Sequence, residues 1–299
     1  MLLRDVLNNE YGALRSLKPT ALKQYHLTLT RWGEVLGYDP LTDDLQPLKV
    51  QAFLTARRAK VSAATIRKDR THICCLWSYC AKRRMCRSDG QMLEFPTVAP
   101  IRAPSRIPRA YKAADVSALI RTALDHPGAV CGLPGGLYYG AMLRLAWETA
   151  ERIGAIRQIR WRDVDLEDRA LVFTAETRKG ATRDIRRVIS ADLAGWLKKL
   201  ERGQNELVFP WDREPTSLWY ELKKIAKVAG VTPRGFHGLR KSAASYVTLA
   251  GGDATRLLDH SNPSITRDHY VDESIAKPKH TALDFLPPLD LGDHDKPAA

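Results

Sequence analysis

Four prolines, spaced four residues apart, place the strongest limit on how this chain can fold. They lie in a stretch without apolar periodicity and are Pro96, Pro100, Pro104 and Pro108. Because proline lacks a backbone donor and clashes with the preceding helical turn, such a stretch favours an extended linker. The chain has 299 residues, more than one hydrophobic core usually supports. We therefore expect two domains, residues 1–95 and 111–299, joined by a linker over residues 96–110.

The part before the prolines is predicted to be a small helical bundle. Apolar residues recur at helical spacing in residues 20–37, 49–59 and 62–85. The first third of the chain, which includes this part and the linker, is also the more basic one, because residues 1–110 hold 19 basic and 9 acidic side chains. The whole chain has a net charge of +13, so most of the excess lies in the first third.

The basic side chains of the first third are clustered at residues 56–60, 66–70 and 81–87. A positive charge of this size attracts a polyanion, and lysines and arginines on helices contact phosphates without reading the base sequence. The alternative is that each cluster only keeps a helix face soluble. We favour double-stranded DNA as the partner of this domain.

The part after the prolines is predicted to be mostly helical with a small antiparallel sheet. Helices are expected over residues 114–125 and 137–150. Later helices are expected to begin at Ala191, Thr216 and Phe236. Between them, the short strands LVF and IRRV flank a turn over residues 177–182. The chain as a whole is thus predicted to be mainly α, with an α+β second domain.

The segment with the clearest chemistry begins with HGLR, from His237 to Arg240, and continues to DHSNPSITRDHY, which ends at Tyr270. On a helix, residues three apart project from one face, so His237 and Arg240 would both reach one phosphate. The planar fork of arginine binds two phosphate oxygens at once. Tyr270 would be the nucleophile, and a phenol needs nearby cations and an imidazole such as that of His260 to lose its proton.

This order of residues resembles the second conserved box of the tyrosine recombinases, the phage integrase family, in which H-x-x-R is followed by G-H and a tyrosine. The first box of the family, T-x-x-R and then a Leu-x-W-x-D-V/I-D signature, resembles WETAERIGAIRQIRWRDVDLED. Between its boxes the family carries a lysine on a β-hairpin, and here a lysine precedes Gly180. The candidate catalytic residues are therefore Arg152, Lys179, His237, Arg240, His260 and Tyr270.

The resemblance implies a site-specific recombinase, an integrase of a mobile genetic element, with the DNA breaking-rejoining fold after a SAM-like core-binding domain. It implies that Tyr270 forms a 3′-phosphotyrosyl bond, that the two arginines clamp the phosphate, that the two histidines assist proton transfer, and that Lys179 protonates the leaving oxygen. No metal, ATP or other cofactor is expected. Two subunits would bind each site and four would form the synaptic complex, with accessory DNA-bending proteins as further partners.

Two positions depart from the family pattern. Ala155 stands where the family has an acidic residue three positions after its first arginine, and Glu151 lies on the wrong side to replace that acid directly. Asp259 replaces the glycine before His260. Its carboxylate would either orient the imidazole and raise its pKa or cap a turn, and the sequence does not decide between these.

Two other functions remain open at the level of sequence. A type IB topoisomerase uses a similar nucleophile and clamp, and a non-catalytic DNA-binding regulator could descend from a recombinase, for which Ala155 is the only support. Tyr246 is the rival nucleophile, but six residues after Arg240 on one helix it would point elsewhere.

The remaining features indicate little further chemistry. The glycine-rich residues 128–136 lack the Lys-Ser/Thr ending of a nucleotide-binding loop and are expected to form a flexible connection. The five cysteines contain no C-x-x-C pair and are expected to be free thiols without zinc. Without a signal-peptide core or an apolar run of membrane length, we expect a cytoplasmic, nucleoid-associated protein. The tail is expected to dock on a neighbouring subunit, or else to fold back, through Ile275, Leu283, Phe285 and Leu286.

Overall fold

The fold consists of two compact units whose boundary lies between Ser105 and Arg106. The computed structural model describes residues 1–104, 106–180 and 182–277. We call the units before and after this boundary unit 1 and unit 2. No helix of the described residues is long and apolar enough to cross a membrane.

Unit 1 consists of helices packed around one hydrophobic core. Its helices are α1 (Leu3–Val6), α2 (Gly12–Leu14), α3 (Pro19–Leu36), α4 (Pro47–Arg58) and α5 (Ala63–Lys82). A π-helical turn, Leu7–Tyr11, joins α1 to α2, and a 3₁₀ turn, Thr42–Asp44, precedes α4. The long helices α3, α4 and α5 coincide with the three predicted segments and bury Trp32, Phe53 and Trp77. The short helices at the start of the chain were not predicted.

The first half of the proline-rich segment packs on unit 1. Val98 is buried in the core of this unit, and the indole Nε1 of Trp77 donates a hydrogen bond to the carbonyl of Glu94 at 2.6 Å. The guanidinium of Arg70 donates hydrogen bonds to the carbonyls of Val98 and Ala99. These bonds satisfy backbone acceptors that an extended chain leaves open, so the segment predicted as a linker is partly held against α5.

The described part of unit 2 is mostly helical with two small antiparallel sheets. Its helices are α6 (Ala113–Leu124), α7 (Gly135–Thr149), α8 (Ile153–Ile156), α9 (Ala191–Lys198), α10 (Pro215–Val228), α11 (Gly235–Leu249), α12 (Ala254–Leu258), α13 (Pro263–Tyr270) and α14 (Glu273–Ala276). Its strands are β1 (Ala129–Val130), β2 (Leu133–Pro134), β3 (Val164–Asp165), β4 (Ala170–Phe173) and β5 (Ile185–Val188). A 3₁₀ turn, Trp161–Asp163, precedes β3. The predicted fold class, mainly α with a small antiparallel sheet, is confirmed.

Helix α7 lies at the centre of unit 2 and packs against α6, α9 and α11. Its close approach to α6 depends on Gly136, where an added Cβ would lie 2.1 Å from the carbonyl oxygen of Leu124. The helix ends at Ala150, which has a left-handed backbone (φ 53°). This turn redirects the chain into α8 and so determines where the residues of the first box lie.

The larger sheet has the strand order β3-β4-β5 and presents the loop between β4 and β5. Phe173 pairs with Ile185 at the end of the β4–β5 ladder, so the loop begins directly after this pair. The glycine-rich residues 128–136, expected as a flexible connection, instead contain the two-residue strands β1 and β2 and the start of α7. The turn between these strands has left-handed Cys131 and Gly132, which explains the glycine there.

The chain after Tyr270 begins by folding back on unit 2. Helix α14 packs against α11, and Ile275 is buried. The expectation that Ile275 docks on a neighbouring subunit is therefore wrong, because its side chain is already covered within its own unit. The other three apolar residues of the predicted docking segment, Leu283, Phe285 and Leu286, lie outside the described residues.

Candidate active site

The HGLR motif lies at the start of α11, where Gly238 allows the helix to approach a buried aromatic ring. A Cβ added at Gly238 would lie 2.7 Å from Cε2 of Tyr111 and 2.6 Å from Cβ of Arg234. The Tyr111 hydroxyl accepts a hydrogen bond from the backbone N–H of Arg234 at 2.5 Å, just before the helix begins. The glycine of the motif therefore has a packing role, and it sets the position of His237 and Arg240 on either side of it.

We expect Gly238→Ala to destabilise unit 2, because the new methyl group must displace the fully buried Tyr111 ring. Overpacking of this kind costs about 1–3 kcal/mol. Gly195→Ala on α9 is a matched control, since no atom lies within 4 Å of its added Cβ, and alanine in a helix should be neutral or stabilising by up to about 1 kcal/mol. Chemical denaturation of both variants measures the difference, and equal stabilities would contradict the close approach.

Arg240 is a buried arginine that joins three helices. Its side chain is 1% exposed, Nη1 donates to the carbonyl of Ala150 at the end of α7, and Nη2 donates to the carbonyl of Leu258 at the end of α12, at 2.8 Å. Burial, and then the charge of Arg152, lowers the pKa of Arg240 to about 10, so it remains a cation at neutral pH. Within the described part of the chain, its Nε is buried without a hydrogen-bond partner.

Tyr270 is the last residue of α13, and its ring packs against two imidazoles. The ring centroid lies 5.0 Å from that of His237 and 4.7 Å from that of His260. The guanidinium carbon of Arg240 lies 5.4 Å from the same centroid. Tyr270 is 9% exposed and completes a small apolar cluster with alanines of α11. Four of the six predicted residues therefore lie side by side, with His237, Arg240 and His260 grouped around the ring of Tyr270.

The hydrogen bonds of His260 indicate which of its nitrogens carries the proton. Nε2 lies 3.4 Å from Nη2 of Arg240, and Nδ1 lies 3.0 Å from Oγ1 of the buried Thr266. Because arginine can only donate, Nε2 accepts and Nδ1–H donates to the threonine. This pattern describes a neutral imidazole.

Both histidines are surrounded by positive charge. Burial, followed by the charges of Arg240 and Arg152, lowers the pKa of His260 to about 4. The pKa of His237 is also lowered to about 4, by burial, then Lys241, Arg240 and Arg152. The side chain of His237 is exposed, whereas that of His260 is half-buried. With the pKa values lowered in this way, both rings are neutral at pH 7 and able to accept a proton.

We expect the pKa of His260 to lie well below the ordinary value of about 6.5, because burial and then the positive charge of Arg240 disfavour a proton on the imidazole. Vanadate or phosphate, by offsetting the arginine charges, should raise this pKa. An NMR titration of labelled histidines, with His260→Gln to assign the signal, measures both effects. Titration near 6.5 without an anion would contradict the geometry.

Arg152 lies between α7 and α8, two residues after the left-handed Ala150. Its charge contributes to the lowered pKa values of His237, Arg240 and His260, so it lies within electrostatic reach of all three. Among the described residues, its guanidinium makes no hydrogen bond or ion pair. This leaves its fork available to an anion.

Lys179 lies in the loop between β4 and β5, directly after Arg178. Its side chain is exposed, and among the described residues it makes no hydrogen bond or ion pair with the other five candidates. The next residue, Gly180, has a left-handed backbone (φ 75°). The structure thus brings Arg152, His237, Arg240, His260 and Tyr270 together and leaves the lysine on the loop.

An ion-pair network beside these residues, buried except at Arg183, was not predicted from the sequence. Arg178 is buried and lies 2.9 Å from a carboxylate oxygen of Asp259 and 3.4 Å from one of Glu151. Arg183 binds the second oxygen of Asp259 at 2.8 Å, and Arg187 binds Glu151 at 3.1 Å. Two features of the sequence could have indicated this network: the aspartate at position 259 in place of the family's glycine, and the arginines of the β4–β5 hairpin.

The two departures from the family pattern have distinct structural roles. Asp259 ends α12 with a left-handed backbone (φ 52°), a conformation that glycine favours and aspartate tolerates. Hydrogen bonds from Arg183 and then Arg178 lower the pKa of its carboxyl, which pairs with these arginines and not with His260. Ala155 is buried in the core of unit 2, so an ionised side chain would have no solvent there.

Tyr246, the rival nucleophile, lies away from this cluster. Its ring packs edge-on against Trp147, with centroids 5.6 Å apart. Its hydroxyl accepts a hydrogen bond from the backbone N–H of Ala113 at 2.9 Å. These contacts give Tyr246 a structural role at the start of α6.

Known proteins with similar chains or folds are recombinases and integrases. Tyrosine recombinase XerC of Xanthomonas campestris pv. campestris (strain B100) is 22% identical over 249 residues, which cover 80% of this chain and 73% of the relative. A lambda integrase dimer bound to a COC′ core site has a TM-score of 0.69 at 17% identity, covering 94% of this chain and 80% of that one. XerH bound to a palindromic difH substrate, in a post-cleavage complex, has a TM-score of 0.67 at 16% identity, covering 88% and 78%.

A family model decides the assignment. The model described as the phage integrase family matches residues 113–276, more than half of the chain and nearly all of the described part of unit 2. The match spans both boxes and the loop between them. The chain therefore belongs to the phage integrase family, the site-specific tyrosine recombinases.

Proposed function

We propose that Tyr270 is the nucleophile with which this recombinase cuts and rejoins DNA. The observation that carries the proposal is the packing of the Tyr270 ring against two neutral imidazoles and the Arg240 guanidinium. A phenol is a weak nucleophile at neutral pH unless a base takes its proton and cations stabilise the phenolate. His237 and His260 are bases in the required form, and Arg240 supplies the charge.

In the proposed cleavage, Oη of Tyr270 attacks the scissile phosphorus while a histidine takes the phenolic proton. Arg152 and Arg240 bind the non-bridging oxygens, on which negative charge grows in the transition state. The bond from phosphorus to the 5′ oxygen breaks, and Lys179 supplies the proton that gives a free 5′-hydroxyl. Because the phosphotyrosyl bond replaces the phosphodiester bond, the 5′-hydroxyl of another strand can reverse the step without ATP.

The proposed role of Lys179 is supported by the ion pairs that the other basic residues of its loop form. The described part of the loop between β4 and β5 contains three basic residues, and two of them, Arg178 and Arg183, form ion pairs with Asp259. An arginine is also too weak an acid to donate a proton readily, whereas a lysine can. Lys179 is thus the suitable proton donor on this loop.

Unit 1, which includes the predicted core-binding domain of residues 1–95, is proposed to bind the duplex. Its basic clusters present exposed side chains in and around α4 and α5, at Arg58, Lys60, Arg67, Lys68, Lys82 and Arg84. Such contacts position the protein on phosphates and make binding depend strongly on salt. By likeness to the DNA-bound relatives, we propose two subunits per site and four in the synaptic complex, with accessory DNA-bending proteins and a location at the nucleoid.

Trapping the covalent intermediate tests this function and does not require the sequence of the target site. Duplexes with random sequence around a single nick would be incubated with the protein in EDTA. Because of the nick, cleavage releases a short strand that diffuses away, and rejoining is prevented. Protein-linked DNA would be recovered after denaturation and sequenced. We expect adducts enriched in one sequence, which we call the trapped duplex; recovery of no adduct would contradict the proposal. Relaxation of supercoiled plasmids lacking that sequence would instead indicate a topoisomerase.

A further inference from the structure

We propose that Asp259, through its ion pairs with Arg178 and Arg183, is a positioning residue that holds the loop bearing Lys179 at the active site. The inference rests on the proposed role of Lys179 as the proton donor to the leaving 5′ oxygen. We call the four residues Glu151, Arg178, Arg183 and Asp259 the clasp.

The clasp closes the loop on both sides of the lysine. Arg178 precedes Lys179 and binds one carboxylate oxygen of Asp259 at 2.9 Å, whereas Arg183 follows it and binds the other at 2.8 Å. One carboxylate therefore joins two points of the loop that are five residues apart. Since consecutive Cα atoms are about 3.8 Å apart, fixing Arg178 also restricts the backbone of Lys179.

The other end of the clasp belongs to the active site itself. Asp259 directly precedes His260, and Glu151 directly precedes Arg152. The side chain of Arg178 is 2% exposed and spans both carboxylates, so it links the loop to a phosphate-binding segment and to the segment of the second histidine. Lys179 itself remains exposed and unengaged within the described residues, as a side chain that must reach a DNA substrate would be.

The backbone at Asp259 explains how a carboxylate can stand here. The left-handed conformation at this position suits glycine, which the family resemblance places before the second histidine, and aspartate is among the few other residues that tolerate it. Aspartate in place of glycine in this chain therefore leaves the backbone of the turn nearly unchanged. It adds a carboxylate that pairs with Arg178 and Arg183. The pair of Asp259 with Arg178 is buried and that with Arg183 is exposed, and ion pairs of either kind often add little net stability, so the proposed role of the clasp is to specify the geometry of the loop.

The test separates proton donation from every other step by changing the leaving group. The trapped duplex would be synthesised with either oxygen or sulfur at the 5′ bridging position of the scissile phosphate. Breaking the P–O bond requires a proton for the departing oxygen, whereas breaking the P–S bond releases a thiolate that needs none. Single-turnover adduct formation would be compared for Asp259→Asn, Asp259→Gly and Lys179→Ala.

We expect Lys179→Ala to slow cleavage of the oxygen substrate by about 10²-fold or more and both Asp259 variants to slow it by about tenfold. On the sulfur substrate, all three should cleave within about threefold of the unaltered protein. Asp168→Asn is the matched control, because it breaks the exposed 2.9 Å ion pair with Arg186 on the same hairpin and should leave both rates unchanged. Because glycine favours the left-handed backbone of this turn, Asp259→Gly should fold normally. Slow cleavage by this variant would therefore not be due to misfolding.

The outcomes distinguish the inference from the function on which it rests. Equal slowing of the Asp259 variants on both substrates, or no slowing on either, would overturn the positioning role. Slowing of Lys179→Ala without rescue by sulfur would overturn the proton-donor role of Lys179. Absence of an adduct with the unaltered protein would overturn the proposed function itself.

Discussion

Replacement of Tyr270 by phenylalanine is expected to abolish the covalent protein–DNA adduct completely. The substitution removes only the hydroxyl oxygen, which is the atom that must bond to phosphorus, and retains the ring that packs against His237, His260 and Arg240. The variant should therefore fold and bind the trapped duplex as the unaltered protein does. Denaturing electrophoresis of labelled duplex after incubation measures the adduct, and a mobility-shift titration measures binding.

Tyr246→Phe is the matched control for this experiment. It also removes one tyrosine hydroxyl from unit 2, but that hydroxyl accepts the backbone hydrogen bond from Ala113. Losing one such bond should cost about 0.5–1.5 kcal/mol of stability and leave adduct formation intact. An adduct that persists in Tyr270→Phe, or that disappears only in Tyr246→Phe, would reassign the nucleophile.

The family and fold class were predictable from the sequence because their signals are local. HGLR and the segment ending in Tyr270 are short patterns, and the helical spacing in α3, α5 and α7 is visible within single segments. The comparisons and the structure confirm both predictions. The six site residues remain predictions about catalysis, although five of them lie together.

What could not be predicted depends on contacts between distant parts of the chain. The ion pair of Arg178 with Asp259 joins residues 81 positions apart, and the bond from Arg240 to the Ala150 carbonyl joins residues 90 apart. No periodicity or motif predicts such pairs, because they depend on how α7, α11, α12 and the loop between β4 and β5 pack together. The β1–β2 hairpin was missed for another reason, since glycine-rich composition does not distinguish a tight turn from a flexible loop.

Arg240→Ala is expected to have the second large effect, on both chemistry and stability. Loss of one donor to the developing phosphate charge should slow single-turnover cleavage by on the order of 10² or more. The same change leaves the carbonyls of Ala150 and Leu258 without their donor, which should cost about 1–3 kcal/mol for each carbonyl that water does not reach. Thermal unfolding and cleavage at a temperature where the variant is folded measure the two effects separately.

Arg240→Lys separates the two roles of this side chain. A lysine retains a positive charge near the phosphate, but its single ammonium lacks the fork that spans the ends of α7 and α12. We therefore expect it to recover part of the stability and little of the rate. Arg144→Ala is the control, because this arginine pairs with Glu148 and Asp192 away from Tyr270 and should leave cleavage unchanged. Near-normal cleavage by Arg240→Ala would mean that the buried guanidinium only holds helix ends together, and the phosphate clamp would then have to be sought at Arg152 and Lys241.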